Sequence, residues 1–187
     1  YIYIYKNMAD FKALSVYEIH DDYYTAVKSW DMIEPYIKKK GFKKIYEACM
    51  LNANLSKSPE YWKGKGYEVI YNLNWDFLEH EEPKNNYDCI ITNPPFDKKI
   101  KIPILKKLLD LDKPFCIVMN VCNVFANYFN DLFKEKEKDL EIIFPRGKIS
   151  FEKMEIKEGK KQLVKTKASP FYSVFVCYKM NLNVKML

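Results

Sequence analysis

Arginine is almost missing from this chain: Arg146 is the single arginine among 31 basic residues, and the rest are lysines. Histidine is nearly as scarce. His20 and His80 are too few and too far apart to build a metal centre. Cysteine is present without a framework. Cys49, Cys89, Cys116, Cys122 and Cys177 are odd in number, form no C-x-x-C pair and mostly sit in apolar runs, which excludes a disulfide scaffold or zinc site and predicts buried, reduced thiols. No run approaches the roughly 20 apolar residues that span a bilayer, and the first residues lack the layout of a signal peptide. The expectation is a soluble, cytoplasmic protein with no membrane partner. At roughly 100–200 residues per domain, 187 residues read as one domain, 1–187, with no room for a separate recognition domain.

What is there is globular in composition: 48% hydrophobic, 30% charged and 16% aromatic, with a formal net charge of +6. The aromatic share predicts a core rich in Tyr and Phe. The lysine excess permits a polyanionic partner, although Lys, Asn, Ile and Tyr are all abundant, as in an A/T-rich genome.

Apolar residues at Val27, Trp30, Ile33, Tyr36 and Ile37 recur at helical spacing from about Thr25 to Lys40. Asp21, Asp22 or Thr25 is a candidate cap and Gly41 the stop. Strand-like runs follow in "KKIYEACML", "GYEVIYNL", "YDCIITNPPF", "KPFCIVMNV", "LEIIFP", "KISFEKMEI" and "PFYSVFVCYKM". Helical segments are expected from Ser58 and Pro59, over Pro103 to Leu111 with proline in the first turn, and in much of Asn123 to Lys138. Alternating strands and helices predict a three-layer α/β fold with a largely parallel sheet. The last two strands have no helix between them, so an antiparallel hairpin is expected there.

Asn93-Pro94-Pro95-Phe96, directly after the apolar run "DCIIT", is the most specific feature. Ligands of open α/β sheets bind beyond the carboxyl ends of strands. Two prolines fix φ and stiffen the turn. The Asn93 side-chain oxygen and the Pro94 carbonyl then form two fixed acceptors. Together they suit an exocyclic amino group, whose nitrogen they draw toward tetrahedral geometry, restoring its lone pair. Phe96 is placed to stack on a planar substrate.

This turn resembles the catalytic motif of S-adenosylmethionine-dependent amino-group methyltransferases, specifically the adenine-N6 DNA methyltransferases, whose pattern is Asn/Asp/Ser-Pro-Pro-Phe/Tyr/Trp. The resemblance runs from about Asp21 to the C-terminus and is closest to small viral or phage-type forms. "DDYYT" is similar to the family's N-terminal motif and places Tyr24 and Thr25 at the methionine end of the cofactor. "IYEACMLNANLS" stands where the family has an acidic residue and a glycine turn. Glu47 takes the acidic position, Ala48, Cys49 and Asn52 follow, and no glycine occurs. "WDF" resembles the Asp-Phe pair at the cofactor's adenine, here Asp76 and Phe77, with Asn72 or Asn74 where a carboxylate grips the ribose.

The resemblance implies a Rossmann-like α/β fold with helices on both faces of a twisted sheet. It also implies S-adenosylmethionine as cofactor, catalysis by Asn93, Pro94, Pro95 and Phe96, no metal, and a bacterial or virus-infected cell as the setting. Residues 72–86 are too few for the helix and strand that normally intervene there, so the sheet is expected to be contracted at that edge. Lys98, Lys99, Arg146 and Lys148 are candidate nucleic-acid contacts. DNA is the first partner, RNA the alternative, and a second copy or partner subunit a source of selectivity. Two other readings stay open: a non-catalytic nucleic-acid-binding or partner subunit, and methylation of RNA adenine or protein glutamine.

Overall fold

The runs Cys89–Thr92, Phe115–Asn120 and Ser173–Tyr178 are buried at every position, the pattern of strands covered on both sides. The computed structural model describes residues 23–51, 53–84, 86–157, 160–166 and 171–184. In chain order these form β1 (Tyr23–Thr25), α1 (Val27–Trp30), α2 (Glu34–Lys39), β2 (Lys44–Tyr46), α3 (Ser58–Gly64), β3 (Glu68–Ile70), β4 (Cys89–Thr92), α4 (Lys98–Asp110), β5 (Phe115–Asn120), α5 (Asn127–Phe133), β6 (Leu140–Ile143), β7 (Phe151–Lys157), β8 (Lys160–Lys165) and β9 (Ser173–Tyr178).

Six strands make the central sheet in the order β3-β2-β4-β5-β9-β6. Strands β3, β2, β4 and β5 are mutually parallel. β9 enters antiparallel between β5 and β6, so β6 again points with the others. Side-chain alternation divides the core into two layers. Cys89, Ile91, Cys116, Val118, Phe175 and Cys177 face Trp30, Ile33, Ile37 and Trp62 from α1 to α3. Ile90, Phe115, Ile117, Val174 and Val176 face Ile104, Leu105 and Leu108 of α4 and Phe129 and Phe133 of α5. This is the expected three-layer α/β arrangement, with helices on both faces. Among the described residues no strand lies between β3 and β4, so β3 forms the contracted edge.

A second, antiparallel sheet has the order β1-β7-β8. The hairpin expected near the C-terminus is β7–β8, in register from Glu152↔Lys165 to Lys157↔Lys160. The partner of β7 is therefore β8, Lys160–Lys165, and not the run "PFYSVFVCYKM", whose strand β9 joins the central sheet instead.

The single helix expected from Thr25 to Lys40 is broken. Thr25 ends a strand, Ala26 occupies the N-cap of α1, and α2 starts afresh at Glu34 with Pro35 in its first turn. A proline inside a continuous helix clashes with the carbonyl four residues back and disfavours helical geometry before it. Asp21, Asp22 and His20 lie outside the described residues. Helix α4 begins at Lys98 rather than Pro103, because the Asp97 carboxylate accepts from the Lys99 N–H at 2.8 Å and caps it; Pro103 sits inside the helix. The Asn123–Lys138 connection is helical only in α5 and in 3-10 turns at Val121–Phe125 and Glu137–Asp139. Cys89, Cys116 and Cys177 are buried free thiols, and Cys49 and Cys122 are half-buried. No helix among the described residues is long and apolar enough to cross a membrane, and none of their His, Cys, Asp and Glu side chains gather into a group able to hold a metal ion.

Candidate functional site

Strand β4 ends at Thr92, and Asn93 to Phe96 leave the sheet at its carboxyl edge. The small sheet sets the Asn93 carboxamide: Nδ2 donates to the Tyr23 carbonyl at 3.0 Å, and Tyr23 is held in β1 by pairing with Lys153 of β7. With the nitrogen committed, Oδ1 is the atom left to present, and it is shielded from solvent with no hydrogen-bond partner among the described residues. On the far side of the turn, Lys101 of α4 is 1% exposed and its ammonium donates to the Phe96 carbonyl at 2.9 Å. A buried ammonium must be hydrogen-bonded, so the turn is clamped from both ends.

Glu47 follows β2 directly and is 2% exposed. Its N–H donates to the Ile70 carbonyl at 2.9 Å, and its Oε1 accepts from the Ser58 hydroxyl at the start of α3. Oε2 has no partner among the described residues. Burial pushes this carboxyl up to about 8, against the lowering effect of the Ser58 hydrogen bond. The Cys49 N–H donates to Thr92 Oγ1 at 3.0 Å, tying the loop after β2 to the strand that carries Asn93. Burial pushes the Cys49 thiol up to about 12, so it stays protonated at neutral pH.

The loop after β2 closes without glycine. The Ala53 N–H donates to the Met50 carbonyl at 3.0 Å and the Ser56 N–H to the Ala53 carbonyl at 2.9 Å. No described residue from Glu47 to Ser56 takes a positive φ.

These segments enclose a cavity of about 210 Å³ walled by residues of β1, the β2 loop, α3 and the Asn93 turn. Among the expected residues, Tyr24, Thr25, Glu47, Cys49, Asn93, Pro94, Pro95 and Phe96 line it. Tyr23, Trp30, Met50, Leu51, Ala53, Ser56, Ser58 and Thr92 line it too and were not expected. Of these, Thr92 stands one residue before the Asn-Pro-Pro-Phe turn, Tyr23 within "DDYYT", and Met50, Leu51, Ala53 and Ser56 within "IYEACMLNANLS", whereas Trp30 and Ser58 stand outside every motif. Four buried polar atoms of the wall residues lack partners among the described residues: Thr25 Oγ1, Trp30 Nε1, Glu47 Oε2 and Asn93 Oδ1.

Other expected residues stand elsewhere. Ala48 is buried in the layer against α4 and α5, as is Phe77, which packs 6.4 Å from the Tyr46 ring with the Lys107 ammonium 5.0 Å above it. Asp76 is half-buried and accepts from the Leu78 N–H at 2.9 Å, while Asn74 is exposed. None of these walls the cavity, and Asn52 lies outside the described residues. Phe96 reaches the cavity from an aromatic cluster, with ring centroids 5.9 Å from Tyr23, 5.7 Å from Phe151 and 5.2 Å from Phe171. Lys98, Lys99, Arg146 and Lys148 are all exposed.

No family model matches the chain, and no curated protein matches it. Solved structures similar to it include a putative class I S-adenosylmethionine-dependent methyltransferase from Listeria monocytogenes, at 12% identity and TM-score 0.49 over 88% of this chain and 63% of that one. Another is an S-adenosylmethionine-dependent O-methyltransferase from Thermotoga maritima, at 12% identity and TM-score 0.37 over 78% and 63%. A third is a tRNA (m1A58) methyltransferase from Aquifex aeolicus, at 14% identity and TM-score 0.37 over 81% and 68%. The chain thus spans less than two thirds of the first two.

Proposed function

We propose that this protein transfers a methyl group from S-adenosylmethionine to the exocyclic amino group of adenine, with DNA as the substrate. The observation that carries this reading is the set of partnerless polar atoms on residues of one cavity wall: the Thr25 hydroxyl, the Glu47 carboxyl Oε2, the Asn93 amide oxygen and the Trp30 indole N–H. Buried polar atoms without partners are costly, about 1–3 kcal/mol each, and a ligand that supplies the missing hydrogen bonds removes that cost.

The amino-acid end of S-adenosylmethionine fits this set. Its ammonium meets Thr25 and Glu47, whose carboxyl gives up its proton to solvent once the cation stands beside it, and its carboxylate meets the Trp30 N–H. The cofactor, when bound, supplies a sulfonium methyl group that is already electrophilic. Asn93 Oδ1 and the Pro94 carbonyl accept the two amino hydrogens of adenine and orient the nitrogen lone pair. Because the Asn93 nitrogen is bonded to Tyr23, the carboxamide cannot rotate and present the wrong atom. Both acceptors are neutral and act by positioning and electrostatics, and the proton lost from the amino group leaves to solvent. A base within a duplex must leave its stack to reach the turn.

The reading predicts N6-methyladenine in DNA incubated with the protein and methyl-labelled cofactor, detected by mass spectrometry of the nucleosides. Asn93→Ala should lower the rate by about 10²–10³-fold, the scale seen when one polar group of a preorganised site is removed, while cofactor affinity holds. Methyl transfer confined to RNA or to a glutamine peptide would sink the DNA assignment.

A further inference from the structure

Exposed apolar side chains are concentrated where the Asn93 turn opens. Among the described residues the large ones are Leu51, Ile100, Phe125, Phe144, Ile156 and Tyr172. All but Ile156 stand in segments at the carboxyl edge of the central sheet: after β2, β5 and β6, at the start of α4, and just before β9. Phe125 is 72% exposed and Tyr172 is 65% exposed, far more than rings normally left in water.

These segments are joined to one another and to the turn. The Val121 N–H donates to the Tyr172 carbonyl at 2.9 Å. Phe171, next to Tyr172, has its ring 5.2 Å from Phe96. The Lys148 ammonium lies 4.4 Å above the Tyr172 ring, and that of Lys98 lies 5.2 Å from the Tyr128 ring, whose hydroxyl donates to Asn123 at 2.7 Å. Among the described residues of these segments the exposed charges are basic, Lys98, Lys99, Arg146 and Lys148, while Asp97 caps α4 and Glu47 is buried; the exposed acids Glu79 and Glu81 follow β3, the edge strand on the other side of the sheet from β6.

We infer that this rim is a binding track for an unpaired nucleic-acid strand, with bases stacked on Phe125 and Tyr172 and phosphates held by Arg146, Lys148 and Lys98. The inference rests on the proposed activity and deepens it by choosing the form of the substrate. Cations alone suffice for a duplex, whose phosphates are its outer surface. Exposed rings can stack on the face of a base, and in a duplex those faces are stacked on one another. Aromatic platforms interleaved with cations are the physical signature of single-strand binding.

Fluorescence anisotropy of the full chain with a labelled 12-nucleotide single strand, the same sequence as a duplex, and a poly-glutamate peptide tests this. The single strand should bind at least tenfold tighter than the duplex at equal salt. Phe125→Ala and Tyr172→Ala should each weaken single-strand binding about five- to thirtyfold, leave duplex binding unchanged, and retain the thermal midpoint and the affinity for S-adenosylmethionine. Equal or tighter duplex binding, aromatic variants with undiminished single-strand affinity, or equal competition by poly-glutamate would each overturn the inference. The two proposals fail separately. Duplex methylation without single-strand preference removes the rim and leaves the activity, whereas single-strand binding without cofactor binding or transfer removes the activity and leaves the rim.

Discussion

Asn93 and Glu47 share one circumstance: each has one polar atom committed to the fold and one left over. Asn93 Nδ2 is held by Tyr23 and Glu47 Oε1 by Ser58, while Oδ1 and Oε2 are buried without partners among the described residues. For Glu47 this has a measurable consequence without any ligand. Burial raises its carboxyl from an ordinary 4.5 to about 8, so between about pH 5 and 8 the folded protein keeps a proton that the unfolded chain has lost. Stability should therefore fall as pH rises through that window, by up to about 1.4 kcal/mol per pH unit. Thermal denaturation at several pH values checks this, and Glu47→Gln should remove that part of the decline; a Gln variant with the same pH profile would show that Glu47 is ionised in the fold. At this scale the Asn-Pro-Pro-Phe turn was legible because proline stiffens the chain whatever surrounds it. The Ser58 and Trp30 contributions were not, since they depend on packing between segments far apart in sequence.

Among the elements, the buried strands were the easiest to anticipate. Runs such as "DCII" and "PFCIVM" are apolar on both faces, and no other short element needs that. Strand β8 escaped notice because "KKQLVK" has no such pattern and is a strand only by pairing with β7. The start of α4 was misjudged for a similar reason. In "FDKKIKIP" the lysines read as surface, yet Lys101 is buried with its ammonium on the Phe96 carbonyl. Lys101→Met should remove this buried hydrogen bond and cost about 1–3 kcal/mol, seen as a lower midpoint in thermal or urea unfolding. Methyl transfer should fall as well, with cofactor affinity retained, because the clamp on the turn is lost. Unchanged stability would mean that the prolines and the Asn93 hydrogen bond to Tyr23 hold the turn without Lys101.

For the molecule as a whole, the short interval between β3 and β4 correctly signalled a sheet that ends at β3, since a chain of that length cannot make a further helix and strand. The return of β9 between β5 and β6 was not readable, because an antiparallel insertion leaves the same apolar run as a parallel neighbour. It brings Phe171 and Tyr172 to the edge where β2, β4 and β1 place Glu47, Asn93 and Thr25. The central claim is that this cavity holds the amino-acid end of S-adenosylmethionine. Calorimetric titration of the intact protein with S-adenosylmethionine, beside Glu47→Ala, tests it most directly. Saturable binding at one site, weakened at least tenfold by the substitution, is the predicted result. Absence of binding up to about millimolar cofactor, or equal binding by both proteins, would contradict it.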